Sequence, residues 1–175
     1  MIHSYLPSPI GDLLLTGDGH NLTGLYTPEH VRPPVELGER SDQEFAEARR
    51  QLVEYFAGER ANFELALAPA GTPFQQRVWQ RLQEIPLGQT SSYGQLAIDI
   101  GQPTAVRAVG MANGRNPISI IVPCHRVVGS TGALTGYAGG LAAKRWLLAH
   151  EQEVAGLLAG PSGGEQLRLT SALGR

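Results

Sequence analysis

The spacing of apolar positions changes along the chain, and each change predicts a different kind of element. Near the start the apolar runs are short. Asp12–Thr16 and Asn21–Tyr26 flank Gly17, Asp18 and Gly19, which reads as a β-hairpin, and Ile2–Leu6 supplies a third strand. A proline-rich link, Pro28 to Pro34, follows. Then Phe45, Ala48, Leu52, Val53 and Phe56 recur at helical spacing, with Ser41 or Asp42 as cap and Gly58 as stop. Asn62–Ala68 reads as one more strand. Residues 1–70 are therefore expected to form a small α+β domain with an antiparallel sheet.

Around Pro69–Thr72 the pattern becomes helical. Phe74, Val78, Leu82 and Ile85 make an apolar stripe ended by Pro86 and Gly88. Ser92–Ile98 reads as a short helix stopped at Gly101. Pro103 suits the first position of another helix that runs to about Asn113. Two short helices joined by a glycine turn have the form of a helix-turn-helix, although an ordinary helical hairpin fits as well. The second helix would carry Arg107 among the small residues Thr104, Ala105, Ala108 and Gly110, with Arg115 just beyond it. Small residues let a backbone lie close to a phosphate chain. Asn116-Pro117, the apolar run Ile118–Val122 and a glycine-rich stretch, Gly129 to Gly140, come next. A last helix, Leu141–His150, reaches Glu151. Residues 71–155 make a second, mainly helical domain, and 156–175 read as a Gly/Ser-rich, weakly attached tail.

Charge divides along the same boundary. Residues 1–70 hold five Arg and eleven acids, whereas 71–150 hold seven Lys and Arg against Glu84 and Asp99. A basic second half favours an anionic partner such as nucleic acid. At 42% hydrophobic the chain can bury a sizeable core. No apolar run approaches the ~20 residues of a membrane span, and Met1–Ile10 lacks a secretory pattern, so the expected location is cytoplasmic, nucleoid-associated if bacterial.

Chemistry concentrates at Cys124, the only cysteine. A lone cysteine forms no internal disulfide and no cysteine zinc cluster, and by default is a small buried hydrophobe. An ordinary thiol is only a few per cent thiolate at neutral pH, so a nucleophilic role needs a base or a positive field. His125 is the adjacent candidate base, and Glu151 could fix its tautomer.

Pro123-Cys124-His125-Arg126-Val127-Val128 resembles the active-site motif of the O6-alkylguanine-DNA alkyltransferases. So, in one register over about residues 72–151, do Ser92-Tyr93, Arg107-Ala108-Val109-Gly110, Asn116-Pro117, Gly136-Tyr137-Ala138-Gly139-Gly140-Leu141 and Trp146-Leu147-Leu148-Ala149-His150-Glu151. The first domain is similar to the family's ribonuclease-H-like fold only loosely, in length and strand-rich order. It lacks the cysteines with which some relatives hold a structural zinc, and Ala138 stands where some have serine.

The resemblance implies single-turnover repair of O6-alkylguanine, and less so O4-alkylthymine, in double-stranded DNA, with no cofactor and no metal. Cys124 would accept the alkyl group. His125 would take its proton through a water, oriented by Glu151, while Asn116 organises hydrogen bonds around the site and Tyr93 donates to the leaving base. Tyr93, Pro123, Val127, Tyr137, Ala138 and Gly139 would form the base pocket. The damaged base would be flipped out and Arg107 would fill its place, with Ser92, Thr104, Ala105, Ala108, Gly110 and Arg115 against a minor groove read with little sequence specificity. A monomer, cooperative or not on DNA, is expected. Two other classes, a lesion-binding protein without chemistry and a cysteine hydrolase, make different predictions for Cys124.

Overall fold

The computed structural model describes residues 1–159. Strands β1 (Ile2–Leu6), β2 (Leu13–Gly17), β3 (Leu22–Tyr26) and β4 (Glu39–Arg40) form a sheet in the order β3-β2-β1-β4. The run Leu13-Leu14-Leu15 makes β2 buried along its whole length, so it takes the centre with β1 and β3 antiparallel on either side. The β2–β3 turn is fixed by Asp18, whose Oδ1 accepts from the backbone N–H groups of His20 and Asn21 at 2.8 and 2.7 Å. Helix α1 (Ala46–Phe56) turns Ala48, Gln51, Leu52 and Tyr55 inward.

Helix α2 (Pro73–Gln83) opens on a capping box: Thr72 and Gln75 each bond the other's backbone N–H, and Pro73 takes the first turn. Strand β5 (Ser91–Ser92) leads into α3 (Tyr93–Asp99), which Ser92 caps by accepting from Gln95 N–H at 3.0 Å. Helix α4 (Val106–Asn113) packs on α2 and α3 and turns Val109, Ala112 and Asn113 inward. Strand β6 (Val127–Val128) pairs in parallel with β5, which sets Tyr93 beside the segment that follows Cys124. Helix α5 (Leu141–Ala159) closes the fold. A continuous core runs from Leu13 and Leu15 through Val78 and Leu82 to Val122 and Leu147. The two halves thus share an interior.

Several expectations are corrected. The sheet is mixed, because β4 joins β1 in parallel. The segment 62–68 adds only a bridge, Leu67 to Leu22, and its alternation leaves Phe63, Leu65 and Leu67 half-buried and the residues between them exposed. Helix α1 starts at Ala46, since the Asp42 carboxylate is occupied by Ser4 Oγ (2.7 Å) and Arg40 and cannot cap. Pro103 and Thr104 lie in a turn closed by Ala105 N–H to Gln102 O, so α4 begins only at Val106. Helix α5 runs beyond Glu151 and takes the first residues assigned to the tail. Val154 and Ala155 pack against Gly58 and Gly88, and that packing carries the helix through Gly156. The remainder of the expected tail lies outside the described residues. Among the described residues, no helix is long and apolar enough to cross a membrane.

Candidate active site

Two tight turns deliver the cysteine. The N–H of Ile121 bonds Ser119 O at 2.8 Å around Ile120, whose φ is 70°, and the N–H of Cys124 bonds Val122 O at 2.8 Å around Pro123. A β-branched residue in the left-handed region costs about 1–3 kcal/mol. The fully buried Ile120 side chain offsets that strain. Cys124 then opens a 3₁₀ turn, Cys124–Arg126, with 3% of its surface exposed.

Asn116 sits directly behind the sulfur. Its Nδ2 lies 3.0 Å from Cys124 Sγ, 2.8 Å from Val122 O and 3.3 Å from Ile118 O, while its Oδ1 accepts from Ile118 N–H at 3.0 Å. An amide has two hydrogens, so the sulfur and Val122 take them and Ile118 O is the weak third acceptor. Burial pushes the Cys124 thiol up to about 11, and the Asn116 N–H and the charge of Lys144 pull the other way. The resting side chain is a thiol.

Behind the 3₁₀ turn lies a buried charge network centred on Glu151. His125 Nε2 is 2.8 Å from Oε1, which also accepts from the Tyr55 hydroxyl and Arg126 Nη2 at 2.8 Å each; Arg126 Nε reaches Oε2 at 2.8 Å. Burial raises the Glu151 carboxyl, but His125 and Arg126 together outweigh it and hold the group ionised far below its ordinary range. Burial lowers His125 despite the carboxylate, so the ring is neutral at rest. A neutral imidazole facing a carboxylate must carry its proton on Nε2, which leaves Nδ1 as an acceptor. Nδ1 is buried and has no protein partner. This is the arrangement a water-relayed base requires.

A cavity of about 570 Å³ opens between α3, α4, the glycine loop and the segment after β3. Tyr93, Arg107, Gly110, Arg115, Tyr137 and Ala138 line it, together with Val31 and Arg32. Ser92 caps α3; Thr104, Arg107 and Ala108 are exposed along the outer face of the helix-turn-helix and Ala105 is half-buried at its start. Pro123 and Val127 are buried on either side of the 3₁₀ turn. A Cβ on Gly139 would come within 2.5 Å of Thr27 Oγ1 and 2.7 Å of the Tyr137 ring. The Val127 and Ala138 carbonyls already accept from Lys144 Nζ (2.7 Å) and Val31 N–H (2.9 Å). The Tyr137 hydroxyl is buried with no hydrogen bond of ordinary geometry, and burial and then the nearby Cys124 raise it well above its usual range.

Four participants were not among the expected site residues, and only one of them left a signal in the sequence. Tyr55 gives no local signal, because α1 meets Glu151 only through the fold. Asn113, whose Nδ2 donates to Cys124 O at 3.3 Å, looks like a helix-ending residue. Arg126 stands inside the motif without a chemical reason to choose it over its neighbours. Lys144 was legible: it shares the inward face of α5 with Leu147 and Glu151 at helical spacing, and it is fully buried, donating to Val127 O and Thr135 O. Among the described residues, no group of His, Cys, Asp or Glu side chains is arranged to hold a metal.

A buried cysteine backed by an amide and a His–Glu pair, beneath a helix-turn-helix that faces an open cavity, defines a nucleophile built to react with something a helix-turn-helix brings to it. The matches to known proteins are specific. Residues 73–153 match the model described as 6-O-methylguanine DNA methyltransferase, DNA binding domain, and residues 1–69 match that family's ribonuclease-like domain. The chain belongs to this family. It is 50% identical over 151 residues to the methylated-DNA–protein-cysteine methyltransferase of Methanosarcina acetivorans (85% of this chain, 96% of that protein). It is 52% identical over 154 residues to the one from Mycobacterium leprae (87% and 93%). The crystal structure of Mycobacterium tuberculosis OGT in complex with DNA superposes with a TM-score of 0.80 at 48% identity, covering 88% of this chain and 94% of that one.

Proposed function

We propose that this protein repairs DNA by moving a methyl or larger alkyl group from guanine O6, and less readily from thymine O4, to Cys124. The observation that carries the reading is the Asn116 N–H at 3.0 Å from a buried sulfur whose neighbouring histidine keeps Nδ1 unpartnered. His125 takes the thiol proton through a water, and Glu151, ionised, stabilises the imidazolium. The thiolate attacks the alkyl carbon, the carbon–oxygen bond breaks, and the base leaves with the electron pair. Tyr93 hydrogen-bonds the leaving base, which returns to neutral guanine when it is protonated. The thioether is stable, so each molecule acts once. No step needs a metal or a cofactor.

A base stacked in a duplex cannot reach a sulfur that is 3% exposed, so it must be flipped out. Unstacking costs a few kcal/mol, and Arg107, exposed at the cavity mouth, fills the vacancy. The small residues Ala105, Ala108 and Gly110 let the helix-turn-helix lie in the minor groove, with Ser92, Thr104 and Arg115 on the backbone. Readout there is degenerate, which suits a protein that must accept any sequence. Residues 1–70 act as a supporting domain and 71–155 as the DNA-binding and reactive one. The protein acts as a monomer, cooperative or not along DNA, in the cytoplasm.

Intact mass after incubation with a duplex bearing one O6-methylguanine tests the proposal. One added methyl per molecule, mapped to Cys124, is expected. Tight lesion-selective binding without a mass change would mean a sensor instead, and turnover of an ester or peptide by an unmodified Cys124 would mean a hydrolase.

A further inference from the structure

The segment that leaves β3 reaches across to the reactive half and holds both of its loops. Leu25 pairs in parallel with Ile118: its N–H donates to Pro117 O at 2.8 Å, and Ser119 N–H donates to Leu25 O at 2.9 Å. Two residues on, the buried Thr27 donates its hydroxyl to Gly139 O at 3.1 Å. The N–H of Val31 then donates to Ala138 O at 2.9 Å, and His30 N–H closes the turn onto Thr27 O at 3.0 Å. Side-chain packing follows the same line. A Cβ on Gly139 would meet Thr27 Oγ1 at 2.5 Å, and one on Gly140 would meet Glu29 Oε2 at 2.2 Å. The glycines at 139 and 140 let the loop lie flat on this strap.

We infer that Thr27–Val31 is a clamp that sets the position of the glycine loop, with Thr27 as a positioning residue for guanine binding. The inference rests on the alkyl-transfer reading above. Glycine-rich chain has the most conformational freedom to lose, so a loop such as Gly136–Gly140 needs external bonds to hold one shape. The strap supplies two, from the Thr27 hydroxyl and the Val31 N–H, and Glu29 packs beside them. Tyr137 and Ala138, which line the cavity, sit at the clamped carbonyls of residues 138 and 139. Thr27 touches neither Cys124 nor the cavity, so its effect falls on binding and not on the chemical step.

Thr27→Val keeps the shape and removes the hydroxyl; Thr27→Ser keeps the hydroxyl. Two measurements decide: labelling of Cys124 by free O6-benzylguanine over a concentration series, and deuterium uptake of the peptide spanning 136–141. With Thr27→Val, the half-saturating concentration should rise about five-fold, the size of one lost neutral hydrogen bond, with little change in the limiting rate. Uptake at 136–141 should quicken while α3 and α4 stay protected, and Thr27→Ser should restore both. Wild-type behaviour of Thr27→Val in both measurements would overturn the clamp, as would uptake that rises equally across the whole reactive half. If the wild-type protein takes neither a benzyl group nor the methyl group of an O6-methylguanine duplex, the alkyl-transfer reading fails, and the uptake measurement still decides whether Thr27 holds the loop.

Discussion

Removing the Asn116 amide should slow the sulfur before it alters anything else. The Nδ2 hydrogen that points at Sγ, at 3.0 Å, is a stronger bond to a thiolate than to a thiol. Hydrogen bonds to a charged group contribute about 1.5–3 kcal/mol. One pKa unit corresponds to about 1.4 kcal/mol, so Asn116→Ala should raise the thiol, already at about 11, further still. At neutral pH the thiolate fraction, and with it the alkylation rate, should fall about 10- to 100-fold. Asn116→Asp keeps an acceptor for Ile118 N–H but sets negative charge against the sulfur, so it should be slower still. The assay is iodoacetamide labelling of Cys124 followed from pH 7 upward, with thermal unfolding as a check that the variants are folded. Identical pH–rate profiles for wild type and Asn116→Ala would refute the argument, as would an aspartate variant as fast as wild type.

Glu151→Gln should cost about 3–5 kcal/mol of stability in urea unfolding, because Arg126 is left buried without its carboxylate. A loss below 1 kcal/mol would mean that the network is worth little. The Glu151 carboxyl is depressed in the folded protein from an ordinary value of 4.5, so its contribution is present above that pH and should drain away as pH falls below it. Glu151→Gln should show a flatter stability profile below about pH 4.5 than wild type when the two are titrated together. Gly110→Ala should fold, since the new methyl meets only the Tyr93 ring at 3.8 Å, and should raise stability by about 1 kcal/mol through helix propensity. It should also weaken binding to duplex DNA, measured by anisotropy; unchanged affinity would remove Gly110 from the proposed interface.

What could be read from the sequence followed from how local its causes are. Strands β1, β2 and β3 and helix α2 fall close to their expected positions because apolar spacing and a cap decide each of them within a few residues. Asp42 looked like a cap and is not one, because Ser4, 38 positions away, claims its carboxylate. The length of α5 was likewise decided by distant glycines that make room for Val154 and Ala155. The same division runs through the site. Cys124, His125 and Asn116 stand within one short stretch, and Glu151 is reached by counting helix turns. Tyr55, 96 positions from the carboxylate it bonds, can be found only once the chain is folded.

Strand β3 lies at the border of its sheet, where unpaired backbone groups would invite other chains to add on. Leu22 and Leu25 spend their outward N–H and C=O groups on Ala66, Ala68, Pro117 and Ser119. The stretch that carries the nucleophile therefore also shields a sticky border. Whatever pries Asn116–Cys124 loose would bare that border as well, and the cost would be counted in lost solubility as much as in lost reactivity.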